Sequence, residues 1–160
     1  MKTIRLGRIM DVDREEVARI ISKYKMVFQN YILHYASRYP DVKFLLYFPP
    51  YSRLYYALRK QSNPQAFEIY IETIKFVVHE CERYGNVKVF GFETEPFLNE
   101  ISNYCDLTHY HQKYNSAMLQ WMKNDQHELT ISNLDEYLKK IRTLATDCSI
   151  EEICKQIIAY

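Results

Sequence analysis

Two short apolar runs constrain this chain more than any other feature. Val-Lys-Phe-Leu-Leu-Tyr-Phe occupies 42–48, and Asn-Val-Lys-Val-Phe-Gly-Phe occupies 86–92. Each has strand length and is rich in β-branched and aromatic residues, and Pro49-Pro50 stops the first. The span between them is patterned for helix. Strands separated in this way cannot form a hairpin, so the pattern predicts a right-handed crossover with parallel pairing. Neither run alternates polar with apolar along its whole length, which predicts strands covered on both faces. A two-stranded parallel sheet is not stable alone. Further strands are therefore expected, or a helix-dominated domain around a small sheet. Residues 1–10, with Thr3-Ile4-Arg5-Leu6, offer one weak strand, and 129–131 a short extended piece.

The helices read from apolar spacing. Asp13 with Glu16 resembles an N-cap and its box partner. Val17, Ile21, Tyr24, Phe28, Tyr31 and Tyr35 then recur at alternating steps of four and three, predicting one amphipathic helix over about 14–38, ended by Pro40. Its seam is short for a coiled coil, so packing on a sheet or on neighbours is the simpler expectation. Ser52 is placed to cap a short helix around 54–60. Asn63-Pro64 looks like an N-cap with proline at the first helical position. Phe67, Tyr70, Ile71, Ile74, Val78 and Cys81 supply the face of a second long helix, with Gly85 as a left-handed C-cap. Another helix is expected at about 112–123, with Met118, Trp121 and Met122 as core. Asn133 with Glu136, and Ser149 with Glu152, look like starts of two closing helices.

Composition narrows function mainly by exclusion. The 160 residues suit a single domain, 1–160. A net charge of +1 gives no support to nucleic-acid binding. Only three glycines are present, Gly7, Gly85 and Gly91, which excludes Gly-rich phosphate loops. The cysteines Cys81, Cys105, Cys148 and Cys154 have no Cys-x-x-Cys spacing and read as free thiols. No signal-peptide core and no membrane-spanning run is seen. His109, His111, Asp106 and Glu95 lack zinc spacing, so no metal and no cofactor is expected.

The segment that carries chemistry is Asp106-Leu107-Thr108-His109-Tyr110. A carboxylate three residues before a histidine can accept its Nδ1–H, which fixes the tautomer and leaves Nε2 to take a proton from a hydroxyl. The same spacing also fits an aspartate N-cap with a first-turn histidine. Cys105 stands beside a negative charge that disfavours a thiolate. Tyr51 and Ser52, just past the end of the first strand, are candidates to line a cleft facing His109. Ser52 is a weak candidate nucleophile, and its capping role is favoured.

Phe48-Pro49-Pro50-Tyr51-Ser52 after a strand, the next strand at 87–92, and then Asp106-Leu107-Thr108-His109-Tyr110 together resemble the C-terminal half of an SGNH/GDSL-type hydrolase. The likeness covers about 15–145 and is nearest to the bacterial cell-envelope branch, which includes hydrolase-like proteins of teichoic-acid D-alanylation. It implies an α/β fold, a partial three-layer α/β/α, flavodoxin-like arrangement with a short parallel sheet and dominant helices. It also implies Asp106 and His109 as acid and base of a triad. The family's Gly-Asp-Ser block is absent, and its oxyanion blocks have no counterpart in 1–40. The expected function is the C-terminal portion of a hydrolase or acyl-transfer protein acting on O-acylated glycans or polymers, inactive in isolation. Relatives of this branch suggest the bacterial cell envelope. The alternative expectation is a non-catalytic domain that self-associates through its sheet edge or Tyr-rich helix.

Overall fold

The computed structural model describes residues 12–151. It is mixed α/β, 64% helical, with a three-stranded mixed sheet. The weak strand expected within 1–10, Cys154 and the Glu152 box partner lie outside the described residues.

Helix α1 (Arg14–Phe28) starts where Asp13 Oδ1 accepts the N–H groups of Glu15 (3.0 Å) and Glu16 (3.1 Å). Such a cap contributes about 1 kcal/mol. The Glu16 carboxylate turns to Arg19 and does not complete a box. The expected long helix does run to Arg38, but in three parts. A π-helical turn, Gln29–Leu33, separates α1 from α2 (His34–Arg38). One extra residue per turn rotates the apolar stripe. Val17, Ile21, Leu33 and Ala36 therefore reach the core, while Tyr24, Tyr31 and Tyr35 stay exposed.

Strand β1 (Phe44–Phe48) pairs in parallel with β2 (Val87–Gly91), in register from Phe44 opposite Val87 to Phe48 opposite Gly91. Between them lie α3 (Arg53–Ser62) and α4 (Pro64–Cys81), the crossover the sequence predicts. Asn63 Oδ1 caps α4 by accepting Ala66 N–H at 2.9 Å, with Pro64 in the first turn. Gly85 does not adopt a positive φ; α4 ends at Cys81 without a left-handed cap. The Asn86 amide instead ties the elements together, with Nδ2 3.0–3.1 Å from the carbonyls of Ala36, Tyr39 and Val42.

Two expectations about the sheet are corrected. Beyond β2, helix α5 (Lys113–Lys123) precedes β3 (Glu128–Leu129). The short extended piece is thus a third strand, and it pairs antiparallel, Val89 opposite Leu129, so the sheet is mixed. Asp125 and His127, both with left-handed φ, turn the chain back so that β3 runs against β2. The second correction concerns coverage. Leu45 and Tyr47 of edge strand β1 are exposed, so β1 is covered on one face only.

Helix α6 (Ile131–Asp147) starts two residues before Asn133. Asn133 Oδ1 accepts the Thr130 N–H (2.9 Å) from inside the first turn, so it is the box partner and Thr130 the cap. Alternation along β2 splits the core. Val87 and Val89 join Phe67, Ile71, Ile74, Val78, Leu138 and Ile141 from α4 and α6. Phe90 and Phe92 join Met118 and Met122 of α5, with Trp121 against them, as the sequence predicts. Among the described residues no helix is long and apolar enough to cross a membrane.

Candidate active site

Residues 103–111 leave the sheet end as a small hairpin. Tyr104 and Tyr110 form an antiparallel bridge, Cys105 N–H donates to His109 O (2.8 Å), and His111 N–H donates to Asn103 O (2.7 Å). Asp106-Leu107-Thr108-His109 is the tip. Asp106 Oδ1 accepts the N–H groups of Thr108 (2.7 Å) and His109 (2.8 Å) and the Thr108 hydroxyl (3.1 Å). Its Oδ2 lies 2.6 Å from His109 Nδ1. The Thr108 N–H first, then the His109 ring and N–H, hold the Asp106 carboxyl far below the usual carboxylate range.

The capping alternative is corrected in place but not in kind. Asp106 caps a turn and not a helix; α5 starts at Lys113, whose N–H donates to His111 Nδ1 at 3.1 Å. The pair is open to water, with His109 side chain 79% and Asp106 55% exposed. Among the described residues no hydroxyl or thiol is hydrogen-bonded to His109 Nε2.

The hairpin rests on the loop after β1. Tyr104 Oη donates to Pro50 O at 2.8 Å. Ser52 gives Leu107 O two bonds, from its N–H at 3.0 Å and from Oγ at 2.8 Å. Ser52 Oγ also accepts Tyr55 N–H at 3.2 Å as the N-cap of α3. The sequence reading set Ser52 facing His109, and the fold joins Ser52 to the turn that carries His109 through Leu107 O. Ser52 is nonetheless 3% exposed, with its proton committed to a carbonyl. It therefore lines no open cleft and is not set up as a nucleophile. Tyr51 is half-buried, its ring edge-on to Tyr55 at 4.7 Å.

Sequence reasoning missed a second polar centre under this loop. Glu93 directly follows β2 and its flanking Phe92, and is fully buried. The hydroxyls of Tyr70 on α4 and Tyr137 on α6 donate to its two carboxylate oxygens, and its own N–H donates to Tyr137 Oη at 3.2 Å. Arg53, also buried, donates Nη1–H to Glu93 O (3.1 Å) and Nε–H to Asn99 Oδ1 (3.1 Å). Burial outweighs the tyrosine hydrogen bonds and pushes the Glu93 carboxyl up to about 7. Its one sequence signal is a carboxylate immediately after an apolar strand. A second histidine–carboxylate contact, His127 Nδ1 to Glu95 Oε1 at 3.3 Å, was equally hidden, because the left-handed turn at 125–127 creates it.

Models of protein families, curated proteins and solved structures were compared with the chain. None matches it.

The geometry therefore carries the reading of this site. An imidazole whose Nδ1 side faces an ionised carboxylate presents Nε2 as a proton acceptor, the arrangement of a general base. Cys81, Cys105 and Cys148 are free thiols. Burial pushes the Cys81 thiol up to about 12 and raises that of Cys148, so neither is primed as a thiolate. Among the described residues no group of three or more His, Cys, Asp or Glu is placed to hold a metal ion.

Proposed function

We propose that the chain is the C-terminal portion of an SGNH-like hydrolase or acyl-transfer protein acting on O-acyl esters of a cell-surface glycan or polymer. The observation that carries the proposal is the 2.6 Å contact between His109 Nδ1 and Asp106 Oδ2 on a turn fixed to the loop after a parallel strand. Sites in open α/β sheets are built at that end of the strands. In this reading a serine from another segment attacks the ester carbonyl, and its proton passes to His109 Nε2. The imidazolium returns that proton to the alcohol as the acyl–oxygen bond breaks. Water then removes the acyl group in hydrolysis, and an acceptor hydroxyl does so in transfer.

Two features agree with a half-site. Asp106 is more open to water than a triad carboxylate that must hold its histidine through a reaction, and a covering segment would strengthen the pair by excluding water. The outer edge of β1 is unpaired among the described residues, and Leu45, Tyr47 and Val42 beside it are exposed. A further parallel strand laid there would widen the sheet, as a missing segment in this reading would do. The same apolar edge, with Tyr31, Tyr35 and Tyr39 nearby, supports the second reading, a non-catalytic domain that self-associates.

A serine-directed fluorophosphonate probe tests the first reading. The isolated chain stays unlabelled. Mixed with a segment encoded beside it that carries Gly-Asp-Ser after an apolar strand, it restores labelling, and His109→Ala abolishes that labelling. Stoichiometric labelling of the isolated chain would overturn the half-site, because the nucleophile would then lie in this chain. The lack of any such segment together with dilution-resistant dimers in sedimentation would replace the first reading with the second.

A further inference from the structure

We propose that Ser52 is a positioning residue for the Asp106–His109 pair, because its hydroxyl grips the peptide unit on which the Asp106 carboxylate is aimed. The proposal rests on reading His109 as a base. Leu107 C=O and Thr108 N–H belong to one planar peptide group. Asp106 Oδ1 holds the N–H end of that group at 2.7 Å. Ser52 holds the C=O end with Oγ at 2.8 Å and with its own N–H at 3.0 Å. Rotating this peptide would break both grips at once. The orientation of the carboxylate, and of the imidazole it holds, is thereby tied to Ser52.

The anchor is buried where the tip is exposed. Ser52 is buried, and its Oγ is fixed from the other side by the Tyr55 N–H in the first turn of α3. The next residue, Arg53, is buried against Glu93 O and Asn99. Tyr104 Oη on Pro50 O is a second strut from the same loop to the base of the hairpin. An exposed turn held only by its own hydrogen bonds would sample many orientations; two donors from a buried helix cap select one.

The test reads the neutral His109 ring directly, in the folded chain, by nitrogen chemical shifts that separate the Nδ1–H from the Nε2–H tautomer. In the unmodified chain the Nδ1–H form predominates, since Asp106 accepts that proton. Ser52→Ala and Ser52→Gly lower the ratio of Nδ1–H to Nε2–H about fivefold, the worth of one net hydrogen bond, and leave His111 unchanged. Ser52→Gly separates this effect from helix capping, because glycine is itself an acceptable N-cap. Ser52→Thr keeps the hydroxyl and restores the ratio to within about twofold of the original, less than one net hydrogen bond is worth. An unmoved ratio in both folded variants overturns the proposal. So does loss of the fold in both, which would make Ser52 a structural cap alone. The tautomer needs no turnover, so fluorophosphonate results against the hydrolase reading would leave this measurement standing.

Discussion

Asp106 and Glu93 are carboxylates at the same end of the sheet, and their surroundings push them in opposite directions. Asp106 lies in water, and four donors from its own turn hold it ionised. Glu93 is sealed from water, and two tyrosine hydroxyls do not compensate for lost hydration, so its carboxyl rises to about 7. Hydrogen bonds set the charge state where solvent remains, and burial sets it where solvent is excluded. The exposed carboxylate is fitted to orient a base. The buried one joins β2, α4 and α6, and through its carbonyl α3, beneath the loop that carries the hairpin.

The comparison breaks most readily at Glu93. Glu93→Ala, measured by urea unfolding at about pH 5, should cost about 4 kcal/mol, since it leaves two buried hydroxyls without acceptors and opens a cavity. A cost below about 1 kcal/mol would show that Glu93 is not a structural joint.

The next effect is on pH dependence. The folded carboxyl of Glu93 titrates higher than the unfolded one, so the folded state keeps a proton that the unfolded chain has lost. Stability therefore falls as pH rises from about 4.5 to about 7 and levels off above that. The loss reaches about 3 kcal/mol at most. Glu93→Gln should flatten this slope in denaturant melts across that window. A parent chain whose stability rises through the window would contradict the burial argument.

A smaller effect is expected beside the joint. A Cβ at Gly91 would run into the hydroxyl of Tyr137, which Glu93 holds in place, and into Leu129 Cδ1 at 2.9 Å. Gly91→Ala should cost about 2 kcal/mol in a thermal melt, as overpacking does. In a Tyr137→Phe background the cost should shrink, because the ring is released to move.

The smallest stability effect belongs to the exposed carboxylate. Asp106→Asn keeps an oxygen for the turn N–H groups and should leave stability within about 0.5 kcal/mol. Its amide then donates to His109 Nδ1, which should invert the tautomer seen by nitrogen chemical shift. If stability collapses instead, the hairpin tip is structural rather than a site.

The elements themselves were largely legible. Short apolar runs placed the two parallel strands, and helical spacing placed the crossover helices and the Met118–Met122 core face, because run length and the helical repeat are properties of neighbouring residues. Caps at Asp13, Ser52 and Asn63 were legible for the same reason, since each accepts an N–H two or three residues on. The Asp106–His109 contact also spans three residues, so its existence could be read from the chain. Whether it caps a helix or tips a hairpin could not, because the Tyr104–Tyr110 bridge and the docking on Pro50 and Leu107 decide that.

The Glu93 joint shows the limit. Its tyrosine partners lie 23 and 44 residues away, on α4 and α6. In the helical pattern Tyr70 looked like another apolar residue, and only the fold turned its hydroxyl to a carboxylate. The same holds for coverage. The apolar run of β1 predicted burial on both faces, yet Leu45 and Tyr47 are exposed, because a strand's covering depends on which elements reach it. The sequence by itself determined that the Asp106 carboxylate can reach the His109 ring, since the contact spans only three residues. Tertiary structure alone decided that the pair stands open on a gripped peptide while another carboxylate is sealed beneath it, because burial and long-range hydrogen bonds exist only once distant segments meet.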